Sequence, residues 1–205
     1  MSGIDQMTET GRKPLRKRRK EVFDAAARVF AARGYHGAST QDIADRLGMR
    51  QASLYYYFHS KEAALEAVCA QGAAGYVEAA EAIAATDQNA EKRIALLLEA
   101  HISPLTDRSD YTLTFLNERK WLPKESRRRV SQLASKIEEV FERVIREGVE
   151  NGEFRPDLEP RLVTLGLLGM MNNVATWYVR EGRPVSEISA ALTSLVLQGA
   201  LKRDI

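Results

Sequence analysis

Residues 50–57 bring Arg50, Gln51, Ala52, Ser53, Tyr55, Tyr56 and Tyr57 together in one short stretch. Their chemistry is hydrogen bonding, not bond breaking. An arginine can present two donors to a guanine edge, an amide matches adenine, and hydroxyls reach bases or phosphates. Gln51 and Ser53 are therefore expected at base edges, with the tyrosines at phosphates and thymine methyls. Arg50 suits a phosphate or a guanine. Ser39, Thr40 and Gln41 upstream and Lys61 downstream are expected to hold the stretch on the sugar–phosphate backbone, Thr40 through a helix amino-terminus.

Side chains with this task need a rigid support. Ser39 and Asp42 form a capping pair: the hydroxyl takes an orphan amide, and the acid sits where the helix dipole favours negative charge. Ile43, Ala44 and Leu47 then fall on one helical face. Gly48 supplies the left-handed turn that ends the helix. In a second short helix Leu54 and Phe58 face inward, leaving Arg50, Gln51, Ser53, Tyr56 and Tyr57 outside. Two short helices joined by a glycine turn, the second polar outward, have the pattern of a helix-turn-helix. The spacing alone fits other small helical hairpins equally well.

Gly34-Tyr35, Ser39, Asp42-Ile43-Ala44, Leu47-Gly48, the run from Leu54 to Phe58 and Lys61-Glu62 resemble the amino-terminal signature of TetR-type transcriptional regulators, over residues 22–65. Two positions depart from it. Arg50 stands where a serine usually caps the recognition helix, and Ala52 where glycine is common. Arginine cannot accept an amide hydrogen bond, so that helix is expected to begin without a side-chain cap.

The 205 residues are 44% apolar and 28% charged, ordinary for a globular protein. The lone Cys69 excludes an internal disulfide, and the scattered His36, His59 and His101 have no metal-ligand spacing. No G-x-S-x-G, H-E-x-x-H or glycine-rich phosphate loop is present, so neither an enzyme nor a cofactor is expected. No continuous apolar run of eighteen or more residues is expected to cross a membrane, the first thirty residues lack a signal-peptide core, and the expected location is cytoplasmic. Net charge is +2, but residues 1–61 hold twelve Lys/Arg against six Asp/Glu, and the remainder is net acidic. A basic first third suits a polyanion such as double-stranded DNA.

Periodicity predicts an all-α chain. Helices are expected over residues 18–33, 61–85, 90–101, 109–119 and 124–151, then over 158–178 and 185–202. Three domains are predicted: a disordered basic tail over 1–15, a three-helix DNA-binding unit over 16–61, and a helical ligand-binding and dimerisation unit over 62–205. The helix from residue 61, about 35 Å long at 1.5 Å per residue, would be the lever between the last two. The segment 158–178 is apolar around almost its whole circumference, so it must be buried on more than one side.

The resemblance implies a homodimer on a palindromic operator, regulated by a small-molecule effector, with the last two helices pairing in a four-helix bundle. The interface residues would be Leu162, Gly166, Met170, Val174, Leu192, Leu195, Val196 and Gly199. The effector lining would be His101, Tyr111, Phe115, Trp121, Asn172, Asn173 and Trp177, aromatic bulk with polar handles. Residues 117–123, 147–157 and 177–182 also look like relatives that sense acyl-CoA thioesters or other lipid-derived acids. Arg119, Lys120, Arg127 and Arg128 would then meet the anionic part. The alternative is a charge-driven DNA-binding or protein-interaction module without a ligand.

Overall fold

The computed structural model describes residues 12–201; side chains are described from Lys17 onward. The chain is helical: α1 (Arg12–Gly37), α2 (Thr40–Arg46), α3 (Gln51–Leu54), α4 (Lys61–Ala84), α5 (Ala90–Ile102), α6 (Pro104–Asp107), α7 (Ser109–Glu118), a 3-10 turn (Arg119–Trp121), α8 (Lys124–Glu150), α9 (Pro160–Glu181) and α10 (Val185–Ala200). Among the described residues the one β-type pairing is an isolated bridge between Phe154 and Leu201.

The first helix is longer than periodicity predicts. It is helical from Arg12, so residues 12–15 are not the disordered segment expected; residues 1–11, and the expected end of the last helix at 202, lie outside the described residues. Ion pairs at helical spacing support its basic run, Lys20 to Asp24 at 2.8 Å and Arg18 to Glu21 at 2.9 Å. Gly34, at φ 66°, kinks it near its end.

Two apolar cores divide the molecule. The first joins Val22, Ala26 and Phe30 of α1 to Ile43, Leu54 and Phe58 and to Leu65 and Val68 of α4. It also takes in Tyr111, Leu122 and Val130 from beyond α4. A domain boundary at residue 61 would cut through it. The reason is size: one helix with two short ones cannot bury enough apolar surface alone, so α4, α7 and α8 complete the core. The second core packs α5, α8, α9 and α10 around Leu97, Leu98, Phe141, Val144, Met171 and Val174. Gly148 is required there, since a Cβ on it would lie 2.4 Å from the Phe154 ring.

α9 is by length and composition apolar enough to cross a membrane. One face lies in the second core through Thr164, Leu167, Leu168, Met171, Val174 and Ala175. Its other face is open, with Leu162 68% and Val179 73% exposed.

Candidate nucleic-acid interface and effector cavity

Helix, glycine turn and second helix follow the expected order in the α2–α3 unit, but α3 ends at Leu54, so Phe58 packs inward from beyond it. Ser39 caps α2, accepting from the Asp42 amide at 3.1 Å, while the Ser39 amide donates to Asp42 Oδ2 at 2.8 Å. The Ser39 hydroxyl, then Arg33 at 2.5 Å, hold the Asp42 carboxyl below its usual range. Gly48 turns the chain at φ 61°. Arg50 begins α3 with no side-chain cap. Ile43, Leu54 and Phe58 are buried beneath the unit, and Arg50, Ala52, Ser53, Tyr55 and Tyr56 form its exposed face, Tyr56 at 79%.

Several expected contact residues are already engaged inside the protein. Gln51 Nε2 donates to Thr40 Oγ1 at 2.7 Å, tying α3 to the start of α2. Gln41 Nε2 donates to Asp45 at 2.5 Å. Tyr57 is half-buried against the first core, its ring edge-on to Tyr56 at 5.3 Å. Lys61 Nζ donates to the Tyr35 and Ala38 carbonyls at 2.8 and 2.9 Å, over the Tyr35 ring. It closes the end of α1 and is not a free cation at the surface.

The residues expected to line one effector site fall into separate places. His101 Nε2 lies 3.0 Å from Asn172 Oδ1, with the Tyr76 and Phe141 rings at 5.2 and 6.1 Å. Burial pushes the His101 pKa down, and the Asn172 contact partly opposes this. Trp177 packs against the same core. Tyr111 and Phe115 belong instead to the first core, and Trp121 sits edge-on to His36 at 4.3 Å. Asn173 is exposed and faces Thr176. The helices that carry most of these residues form near the expected ranges, and their relative rotation separates the side chains.

A cavity of about 160 Å³ lies between α4 and the α5–α7 segment, lined by Gly72, Gly75, Tyr76, Ala79, Pro104, Arg108, Tyr111 and Thr112 among others. Tyr76 and Thr112 hydroxyls meet inside it at 3.2 Å. Beside it, sharing Arg108 and Tyr111, is a cleft of about 600 Å³ reaching Lys20, Asp24 and Arg28 of α1. Gly72, Gly75 and Tyr76 recur at i, i+3 and i+4 on α4, and Arg108, Tyr111 and Thr112 do so beyond it. That spacing could have marked these residues as two facing walls. Of the cations expected to meet an anionic effector, Arg119 lies over Phe115, Arg127 donates to the Lys120 carbonyl, and Arg128 pairs with Glu125. None of them lines this cavity.

The wall at Tyr111 is tied directly to α1. Tyr111 Oη donates to Asp24 at 2.8 Å, Thr114 Oγ1 to the Ala27 carbonyl at 3.3 Å, and the Tyr35 amide to Glu118 at 2.7 Å. Residues 111, 114 and 118 lie on one face of α7. The Gly34 kink is what frees the Tyr35 amide for Glu118. Among the described residues no group of three His, Cys, Asp or Glu could hold a metal ion.

Comparisons agree with this architecture. Residues 22–68 match the model for bacterial regulatory proteins of the tetR family, and residues 87–200 match the tetracyclin repressor-like C-terminal domain. The chain is 23% identical over 189 residues to the fatty acid metabolism regulator protein of Bacillus subtilis, covering 91% of this chain and 97% of that one. It is 27% identical over 184 residues to the transcriptional repressor KstR2 of Rhodococcus jostii, covering 89% and 90%. The structure of AibR in complex with isovaleryl coenzyme A and operator DNA superposes with a TM-score of 0.79 at 24% identity, covering 87% of this chain and 97% of that one.

Proposed function

Because the chain belongs to the TetR family of bacterial transcriptional regulators, we propose that it is a homodimeric cytoplasmic repressor of a palindromic operator, released by a lipid-derived acid or its coenzyme A thioester. One observation carries the effector half of this reading. The cavity is walled by α4 and α7, the same two helices that hold the DNA-reading head, so an effector too large for it would displace the head's supports. An effector does this only by binding the displaced state more tightly than the operator-bound one. Its apolar part would occupy the space between Gly72, Tyr76, Ala79 and Pro104, with Tyr76 and Thr112 as polar handles. Its anionic part would meet Arg108, which borders both cavity and cleft. The likeness to the Bacillus subtilis fatty acid metabolism regulator protein and to AibR with isovaleryl coenzyme A supports this effector class.

Self-association is supported by the open face of α9 and α10. Leu162, Leu165 and Leu195 are exposed there, and a Cβ on Gly166, Gly169 or Gly199 would meet nothing within 4 Å. Met170, Leu192 and Val196 flank that face, half-buried. Doubling it by two-fold symmetry makes a four-helix contact. Val174 does not belong to that face, because it is fully enclosed in its own protomer.

The test is release. A duplex selected by the purified protein from a random pool is titrated with isovaleryl-CoA, stearoyl-CoA, free coenzyme A and the free acids. Release by a thioester and not by coenzyme A supports the reading. Release by none of them removes the effector class, and equal affinity for random duplexes removes the specific repressor.

A further inference from the structure

The first two turns of α8 carry Lys124, Arg127, Arg128 and Arg129 against a single acid, Glu125. This is the wrong end of a helix for cations, because the amino-terminal dipole repels them. Local rules broken without a visible structural gain are expected where function requires it. Arg129 has such a gain, bonding Glu66 of α4 at 2.6 Å. Among the described residues Lys124 and Arg127 have no acid partner, and Arg128 shares Glu125 at 3.1 Å. All three are exposed, as is Lys120 just before them.

The packing fixes where this patch points. Glu66 of α4 meets Ser126 and Arg129 of α8, and Glu81 meets Arg143. The two helices therefore run parallel and nearly in step, so the first turn of α8 lies level with the first turn of α4. That turn of α4 begins at Lys61, whose ammonium is bonded to Ala38, the residue before the Ser39 cap of α2. The turn leading into α8 is fixed on the same side, with Trp121 against His36 and Glu118 on the Tyr35 amide. The basic patch thus lies beside the end of α1 and the start of α2, at the edge of the DNA-reading unit.

We propose that Lys120, Lys124, Arg127 and Arg128 form a second phosphate-contact surface, gripping duplex DNA beyond the bases read by α3. The occupant follows from charge complementarity and from continuity with the reading head. Long, exposed cations, of which Arg128 alone shares an acid among the described residues, suit a backbone contact that adds affinity and carries no sequence information. The proposal rests on the DNA-binding reading of α2 and α3.

The experiment compares wild type with the triple variant Lys124→Gln, Arg127→Gln, Arg128→Gln on two duplexes. One is a 20-bp site selected by the wild-type protein from a random pool; the other is that site centred in 44 bp. Wild type is expected to bind the longer duplex on the order of tenfold more tightly, with a steeper salt dependence, by about 0.9 in log–log slope for each added phosphate contact. The variant should bind the 20-bp site as wild type does, which also verifies its fold, and lose the gain from length. A wild type without a length preference, a variant that keeps it, or an equal loss on both duplexes overturns the proposal. A variant altered only in its response to acyl-CoA assigns the patch to the effector and also overturns it. Failure of wild type to select any site would instead overturn the DNA-reading assignment beneath it.

Discussion

Tyr111 Oη and Asp24 Oδ1 are 2.8 Å apart, joining the wall of the cavity between α4 and α7 to the first helix of the DNA-reading head. The contact is half-buried, and both burial and the adjacent Asp24 push the Tyr111 pKa up, so the phenol stays a donor at physiological pH. Tyr111→Phe removes the bond without stranding the acid, since Lys20 also meets Asp24. A stability loss of about 1 kcal/mol is expected. The ratio of operator affinities without and with effector should fall about fivefold, the size of a 1 kcal/mol coupling. Operator titration with and without a saturating acyl-CoA measures it; an unchanged ratio would show that α7 does not carry the signal.

Gly72 and Gly75 line the cavity, and a Cβ on either would come no closer than 3.5 Å to its nearest neighbour. Gly72→Ala with Gly75→Ala should therefore fold and keep operator affinity within about tenfold, or 1.4 kcal/mol. The two methyls narrow the cavity, so effector affinity should drop. Calorimetric titration of the double variant with isovaleryl-CoA reads this directly, and wild-type affinity would place the effector elsewhere.

Gly166 faces open space in the protomer, so Gly166→Arg should leave the subunit folded and separate the dimer. Val174→Ala should behave differently, because its side chain is enclosed in the second core. It should lower stability by roughly 0.5–3 kcal/mol without changing association. Sedimentation velocity together with thermal unfolding distinguishes the two outcomes.

Gln51 is held by Thr40 at 2.7 Å, so the two should act together in reading. Gln51→Ala is expected to lower affinity for the selected site by about 1–3 kcal/mol and leave random-sequence binding unchanged. Thr40→Val should reproduce part of that specific loss by releasing the amide. Matching losses on cognate and random duplexes would reassign Gln51 to backbone contact.

His101 provides a pH dependence. Its folded pKa lies below the ordinary 6.5, chiefly through burial. The stabilisation from keeping the ring neutral is complete above pH 6.5 and is lost as pH falls through the lowered folded value. Melting temperatures of wild type and His101→Gln between pH 7.5 and 4.5 should show wild type losing stability more steeply on acidification. Parallel curves would mean that the ring is as easily protonated folded as unfolded.

The amino-acid sequence determined those features that close within one turn of chain. The Ser39–Asp42 capping box, the Gly48 turn and the ends of α7 and α8 rest on hydrogen bonds between residues three or four apart, and the uncapped start at Arg50 on the lack of one. Their partners are therefore written next to each other. The inward faces of α2 and α3 follow from the same short period. What only the tertiary structure decided is the rotation of one helix against another distant in sequence. α9 is apolar all round, so periodicity could not tell that Val174 turns inward while Leu162 turns out. Aromatic residues on α5, α7 and α9 were equally free to meet or diverge. Packing sent Tyr111 and Phe115 to the head core and left His101 with Asn172. Lys61 reads as a surface cation until the fold brings the Tyr35 and Ala38 carbonyls to its ammonium. Each of these outcomes depends on interfaces between segments tens of residues apart, whose registry is set by mutual packing and by no local pattern.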